Sequence, residues 1–316
     1  MRIFVAGATG AVGRRLVPAL VAKGHHVFGL TRAQDKGQWL GAAGAAPVIA
    51  DGLDAEAIER ALNEARPEVV VHQLTALAGA TDLRNFDRAF AASNRLRTIG
   101  LDILLAAARK AGARKIVAQS FCGWPYARVG GLMKSEDDPL DPAPPRRQAH
   151  TLSAIRYLES TVSNLRDLQG VALRYGFFYG PETGMFEPDV VRQLRKRQMP
   201  VIGGGGGWWS FLHIDDAASA TVAAIEGEAS GIFNAVDDEP APVREWLPAL
   251  AAAVDAKPPL RAPAWIARIL AGDAVVALMT TARAGSNAKI KRELAWTPSY
   301  GSWRRGFRDV AATLKA

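Results

Sequence analysis

MRIFVAGATGAVGRRLVPALVAKGHHVFGLTR, residues 1–32, is the stretch whose reading decides the fold. Arg2 to Ala6 is a short apolar run of β-forming residues ending directly on Gly7-Ala8-Thr9-Gly10-Ala11-Val12-Gly13. Val12, Leu16, Ala19, Leu20 and Ala22 then recur at three- and four-residue spacings, as on one face of a helix. That helix stops at Lys23-Gly24, a basic last turn with a glycine beyond it. Val27 to Leu30 follows as a second strand, completing a strand, glycine-rich turn, helix and strand.

The three glycines have separate physical tasks. One lets the chain turn sharply out of the strand, a second lets backbone N–H groups approach a pyrophosphate, and the third lets helix and strand pack closely. The start of the helix adds partial positive charge toward the phosphates. The turn therefore predicts a dinucleotide site formed by Gly7, Thr9, Gly10, Ala11, Val12 and Gly13. An acidic residue after the second strand would take the ribose 2′-hydroxyl of NAD, whereas an arginine accommodates the 2′-phosphate of NADP. Thr31-Arg32 stands there, so NADP is the expected cofactor, with Arg32 as the phosphate partner.

Composition sets the limits. A chain of 316 residues buries a full core as one large domain or two joined ones. The net charge of +8 raises nucleic acid as a partner, but the basic residues are scattered. The one dense run, Arg192, Arg195, Lys196 and Arg197, lies on a predicted helix with no nucleic-acid motif beside it, so a solvated face is expected. The most apolar stretch, Ala264 to Thr281, carries Arg268 and Asp273 and is expected to be a buried helix, not a membrane span. A strand beginning at Arg2 leaves no room for a leader, and the lone Cys122 permits neither an internal disulfide nor a cysteine metal cluster. A cytoplasmic protein without metal is the expectation.

Further along, strands are predicted at Pro47–Ala50, Glu68–Gln73, Arg114–Gln119 and Val171–Arg174. Helices are predicted at Asp54–Glu64, about Leu83 to Lys110 and about Gln148 to Asp167. This alternation predicts an α/β fold, a doubly wound parallel sheet with ligands beyond the carboxyl ends of its strands. Residues 121–145, with Gly130-Gly131, an acidic run and the proline cluster Pro139, Pro142, Pro144 and Pro145, read as a surface excursion.

The G-x-x-G-x-x-G spacing, Leu173 to Pro181 (LRYGFFYGP) and the aspartate pair Asp215-Asp216 after a glycine run resemble the short-chain dehydrogenase/reductase superfamily. The likeness is to its extended and atypical branches, which include the NAD-dependent epimerases and dehydratases, and it runs over essentially the whole chain. It implies a Rossmann domain over 1–175, to which 208–236 returns, and a smaller substrate domain over 176–316. It also implies that Asp51 and Gly52 meet the adenine end and that Leu74, Thr75 and Ala76 line the cofactor. Asn94 then shapes the active site from the central helix, and it is expected to bind the cofactor together with Tyr175 and Phe177, which mark the crossing into the substrate domain. The helices at 83–110 and 148–167 are expected to pair in a homodimer, through Ala91, Ala92, Ala106 and Ala107. Near the amino end of a helix, Asp215 and Asp216 are expected to be structural.

The superfamily's reaction centre is a serine with Tyr-x-x-x-Lys, where the tyrosine moves a proton and the lysine lowers its pKa and holds the ribose. A glutamate commonly follows the lysine by four residues. With Glu159 as that anchor, the lysine position is Ile155 and the tyrosine position Thr151. Ser120 remains, with Tyr126, His150 and Thr151 as candidates for the proton route. Trp209 stands where relatives acting on nucleotide sugars carry a phosphate-binding arginine. Together with Trp124, Phe177, Phe178 and Trp208 it points to an apolar or aromatic ligand. Three functions stay open: an NADPH-dependent oxidoreductase on a small carbonyl or alcohol, an epimerase or dehydratase with enclosed redox chemistry, and a non-catalytic NADP-binding sensor.

Overall fold

Seven strands make one parallel sheet: β1 (Arg2–Ala6), β2 (His26–Thr31), β3 (Ala46–Ile49), β4 (Val69–His72), β5 (Lys115–Phe121), β6 (Gln169–Tyr175) and β7 (Gly231–Ala235). Their spatial order is β3-β2-β1-β4-β5-β6-β7, so the order reverses at β1 and opens a crevice between the ends of β1 and β4. The computed structural model describes residues 1–76, 83–181 and 183–314. Alternate residues of the strands feed two cores. Ile3, Val5, Val71, Val117 and Leu173 pack beneath the helices Gly13–Ala22 and Ile214–Glu226. Phe4, Ala6, Val70, Ile116 and Ala172 meet Ala55–Ala65, Leu101–Lys110 and Ala149–Ser163 on the other face. Burial on both faces explains why these strands read as continuous apolar runs. A third cluster, built on Tyr179, Phe186, Trp209, Phe211, Trp246, Trp303 and Phe307, lies outside this sheet.

Four expectations change. A helix at Gln34–Ala42, weakly amphipathic and holding Gly37 and Gly41, was not legible. The stretch from Leu83 to Lys110 is segmented, with a break at Phe90 and a π-turn over Leu96–Gly100. Residues 121–145 are only in part a surface excursion: Val129 to Met133 are exposed, but the segment is anchored in the interior. Tyr126, Lys134 and Asp141 are buried there, and Met133–Lys134 pairs with Ala284–Gly285. The apolar stretch 264–281 is two helices, Ala264–Ala271 and Asp273–Thr280, split at Gly272 with φ +88°, and its first half exposes Trp265, Ile269 and Leu270. Among the described residues no helix is long and apolar enough to cross a membrane.

Candidate active site

The turn after β1 has the geometry its glycines require. Gly7 has φ +93°, and a Cβ there would lie 2.5 Å from the Gln73 carbonyl oxygen. One on Gly13 would lie 2.4 Å from the carbonyl oxygens of Gly7 and Ala8. Both are held by packing. Gly10 is different, since its Cβ would meet nothing nearer than 3.4 Å, leaving an open backbone face. No side chain caps the Gly13–Ala22 helix; Arg14 and Arg15 N–H bond to the Gly10 and Val12 carbonyls, which leaves the Gly13 N–H at its start for an anion. These residues fit the pyrophosphate of a dinucleotide.

At the ends of β2 and β3, Thr9 and Thr31 hydroxyls lie 3.3 Å apart, and Arg32 is 77% exposed with its guanidinium 3.9 Å from Asp51. Asp51 also accepts from the backbone of Leu53, fixing its own loop. A Cβ on Gly52 would strike Leu74, so this glycine lets the β4 exit close over the β3 loop. Leu74, Thr75 and Ala76 are half-buried, and Ala76 N–H donates to Ser93 Oγ, tying that exit to the central helix.

Thr151 and Asn94 come together where the chemistry is expected. Asn94 Nδ2 donates to Thr151 Oγ1 at 3.0 Å, and Thr151 Oγ1 donates to Asp87 Oδ1 at 2.7 Å. Asp87 also accepts the backbone N–H groups of His150 and Thr151, capping the Ala149–Ser163 helix from 64 residues away in sequence. Arg97 completes the group by donating to Asn94 Oδ1 at 3.2 Å. Its guanidinium is buried, and burial lowers its pKa to about 10, so it remains a cation at neutral pH. His72 lies beneath this group. Burial pushes its pKa down to about 4, so it is neutral, and Nε2–H donates to the Leu96 carbonyl in the π-turn while Nδ1 accepts from Leu74 N–H. His150 is exposed, and Ile155 is a buried aliphatic residue.

Ser120 and Tyr126 belong to a second, sealed network. Ser120 Oγ donates to Glu159 Oε1 at 2.6 Å, and Arg174 binds both Glu159 oxygens at 2.6 and 2.7 Å. Arg174 also donates to the Tyr126 hydroxyl, which donates in turn to Asn234 Oδ1 at 2.7 Å. Burial raises the Tyr126 pKa well above that of an ordinary phenol. Neither hydroxyl is therefore poised as an acid. Tyr175 is likewise enclosed, accepting from Gln73 Nε2 and donating to Thr221 in the core, so its ring does not reach the crevice. Cys122 is buried, and its thiol is pushed up to about 12 by burial, as fits an inert packing residue. Asp216 accepts the backbone N–H groups of Ser299 and Tyr300, a structural anchor.

Aromatic rings line the substrate side. Phe177 stacks on Trp209 at 3.7 Å and meets Phe121 edge-on at 5.1 Å, while Trp124 bridges toward Phe121 and Phe86. Trp209 is itself buried, with its indole N–H on the Leu278 carbonyl, so it backs Phe177 instead of presenting its own face. Phe178 turns away to pack on Tyr175. Asp87, Arg97, His72 and Phe121 were missed from sequence. The available signal was a long helix beginning at Ala149 with no Ser, Thr, Asp or Asn at its start, which had to find its cap elsewhere.

A glycine cradle at β1, a crevice at the sheet's switch point and an active-site helix crossing beside it define a nicotinamide-dinucleotide enzyme of the extended short-chain type. Residues 3–235 match the NAD dependent epimerase/dehydratase family, and the chain belongs to it. Over 309 residues it is 45% identical to 3-diazoavenalumate denitrifying reductase of a Streptomyces species, covering 97% of this chain and 99% of that one. UDP-glucose 4-epimerase of Mycolicibacterium smegmatis is 31% identical over 269 residues, 81% of this chain and 83% of the relative. The crystal structure of Thermus thermophilus UDP-glucose 4-epimerase with NAD covers 100% of this chain and 99% of its own, with a TM-score of 0.77 and 26% identity. These relatives support oxidoreductase-type chemistry with a nicotinamide cofactor.

Proposed function

We propose that the protein is an NADPH-dependent reductase whose substrate accepts hydride without a proton from the enzyme, an arenediazonium compound with a planar body. The observation that carries this reading is the state of the proton-bearing groups. Thr151 is held between Asn94 and Asp87, Ile155 is aliphatic, and the hydroxyls of Ser120 and Tyr126 are sealed in the Glu159–Arg174 network. NADPH, when bound, supplies the hydride. Gly10 and the start of the Gly13–Ala22 helix would hold its pyrophosphate, and the exposed Arg32 its 2′-phosphate. Asn94, oriented by Arg97, and the Thr151 hydroxyl bound to it border the reacting region, while Phe121 and Phe177 offer a flat apolar wall.

The chemistry of a diazonium group matches this site. The conversion R–N2⁺ + H⁻ → R–H + N2 balances with no proton from the protein, and the departing gas makes it irreversible. A carbonyl, by contrast, needs a proton at oxygen, and general acid catalysis typically contributes about 100- to 10,000-fold. The relative at 45% identity is named for a diazo substrate and a denitrifying reduction, which supports the same assignment. The test is NADPH oxidation with an arenediazonium salt and with a panel of aldehydes and ketones. One N2 released per NADPH consumed, with a solvent isotope effect near one, is expected. Faster turnover of the carbonyl panel overturns the diazo assignment, and no turnover of either class indicates a sensor. The reading includes a homodimer through the paired helices, supported by Ile99 and Tyr157, 47% and 40% exposed on that face. Light scattering should return twice the chain mass.

A further inference from the structure

We infer that a cavity at the amino end of the Ala149–Ser163 helix is a carboxylate subsite, so that the substrate is an organic anion. The identity of the anion as substrate rests on the reductase reading above. The cavity, about 370 Å³, is lined by Asn85, Asp87, Arg88, Arg146, Arg147 and His150. Three arginines and one carboxylate thus line it, and that carboxylate is already committed. Asp87 Oδ1 takes the N–H and O–H of Thr151, and Oδ2 takes the N–H of His150.

Arg147 donates one N–H to the Arg84 carbonyl at 2.9 Å, which pins its guanidinium at the wall and leaves further donors. The side chains of Arg88 and Arg146 make no hydrogen bond or ion pair among the described residues. A planar fork of N–H donors matches a carboxylate bidentately, and the volume falls in the range of small-ligand pockets.

Two placements connect this cavity to the reaction. Asp87 both lines it and holds Thr151, so the cavity abuts the position where the chemistry is expected. Phe86, between Asn85 and Asp87 in sequence, meets Trp124 edge-on at 5.2 Å, joining the cavity wall to the aromatic side of the crevice. The ligand class that spans both is a carboxylate with a flat, apolar body. The phosphates of the dinucleotide have their own places, at Gly10 and Arg32.

The experiment titrates the cofactor-loaded full chain with cinnamate, cinnamide and inorganic phosphate by calorimetry. Cinnamate should bind at least tenfold more tightly than cinnamide. Arg88→Gln/Arg146→Gln should abolish that preference while leaving cinnamide and NADP⁺ binding in place, and Arg146→Gln alone should cost about threefold. Equal binding of acid and amide, or an unaltered preference in the double variant, overturns the inference. Phosphate binding as tightly as cinnamate also overturns it, since the cavity is then a phosphate site. A cinnamate preference without diazonium turnover leaves the subsite standing and removes the reductase reading, so the two failures are distinct.

Discussion

Two polar networks meet the Ala149–Ser163 helix, and they differ in what surrounds them. The one through Glu159 is closed: Ser120, Arg174, Tyr126 and Asn234 satisfy one another, and the side chains of Glu159 and Arg174 are each 3% exposed. The one through Asp87 sits a little over two turns earlier, where the helix begins, the crevice opens and an arginine-lined cavity adjoins. A buried charge pair must be completely satisfied to be tolerated, so the first network has no valence left for a substrate. The second is built on a helix start, whose N–H groups need an acceptor anyway, and its outer members face open space. Proton-bearing side chains are thus plentiful near this site, and the ones best placed by sequence are the ones least free to react.

That contrast can be broken or sharpened. The largest effect is expected from Glu159→Gln, which leaves Arg174 buried without its counter-charge and should destabilise the fold by about 3–5 kcal/mol in urea unfolding. A loss below 1 kcal/mol would mean the inner network is not sealed. Next comes acid sensitivity beneath the outer network. An unfolded chain protonates His72 near 6.5 and the folded chain near 4, so the folded state binds fewer protons in this window. Stability fully present above pH 6.5 is then lost as pH falls, by about 3 kcal/mol at pH 4. Comparing pH-dependent unfolding of the wild type and His72→Gln isolates this term, which should vanish in the variant.

Arg32→Ala lies away from both networks and should weaken NADPH by about 1.5–3 kcal/mol while leaving NADH nearly unchanged. Equal affinities of the wild type for the two cofactors would remove the NADP assignment. The smallest effect is expected at the position that in relatives holds the acid. Thr151→Ala should cost about 1 kcal/mol of stability through its lost hydrogen bonds, and less than tenfold in turnover. A drop of about 100-fold or more, with NADPH affinity intact, would place the proton route through Thr151 after all.

The sequence by itself determined the sheet and the glycine-rich turn after its first strand. Their signals are local: apolar runs of strand length, a helix with a three- and four-residue period, and glycines whose missing Cβ is required within a few residues of the turn, as Gly7 and Gly13 show. The family resemblance, anchored on Glu159, further puts the expected tyrosine and lysine positions at Thr151 and Ile155. What only the tertiary structure decided is which polar groups are free. Ser120 and Tyr126 were candidates by position, yet their partners Glu159 and Asn234 lie 39 and 108 residues away. Asp87 reaches the helix start from 64 residues away, and the cavity beside it gathers arginines from two separate segments. A hydroxyl's chemistry depends on what accepts its proton and on whether water reaches it. Both are set by long-range packing, which leaves no periodic trace in the chain.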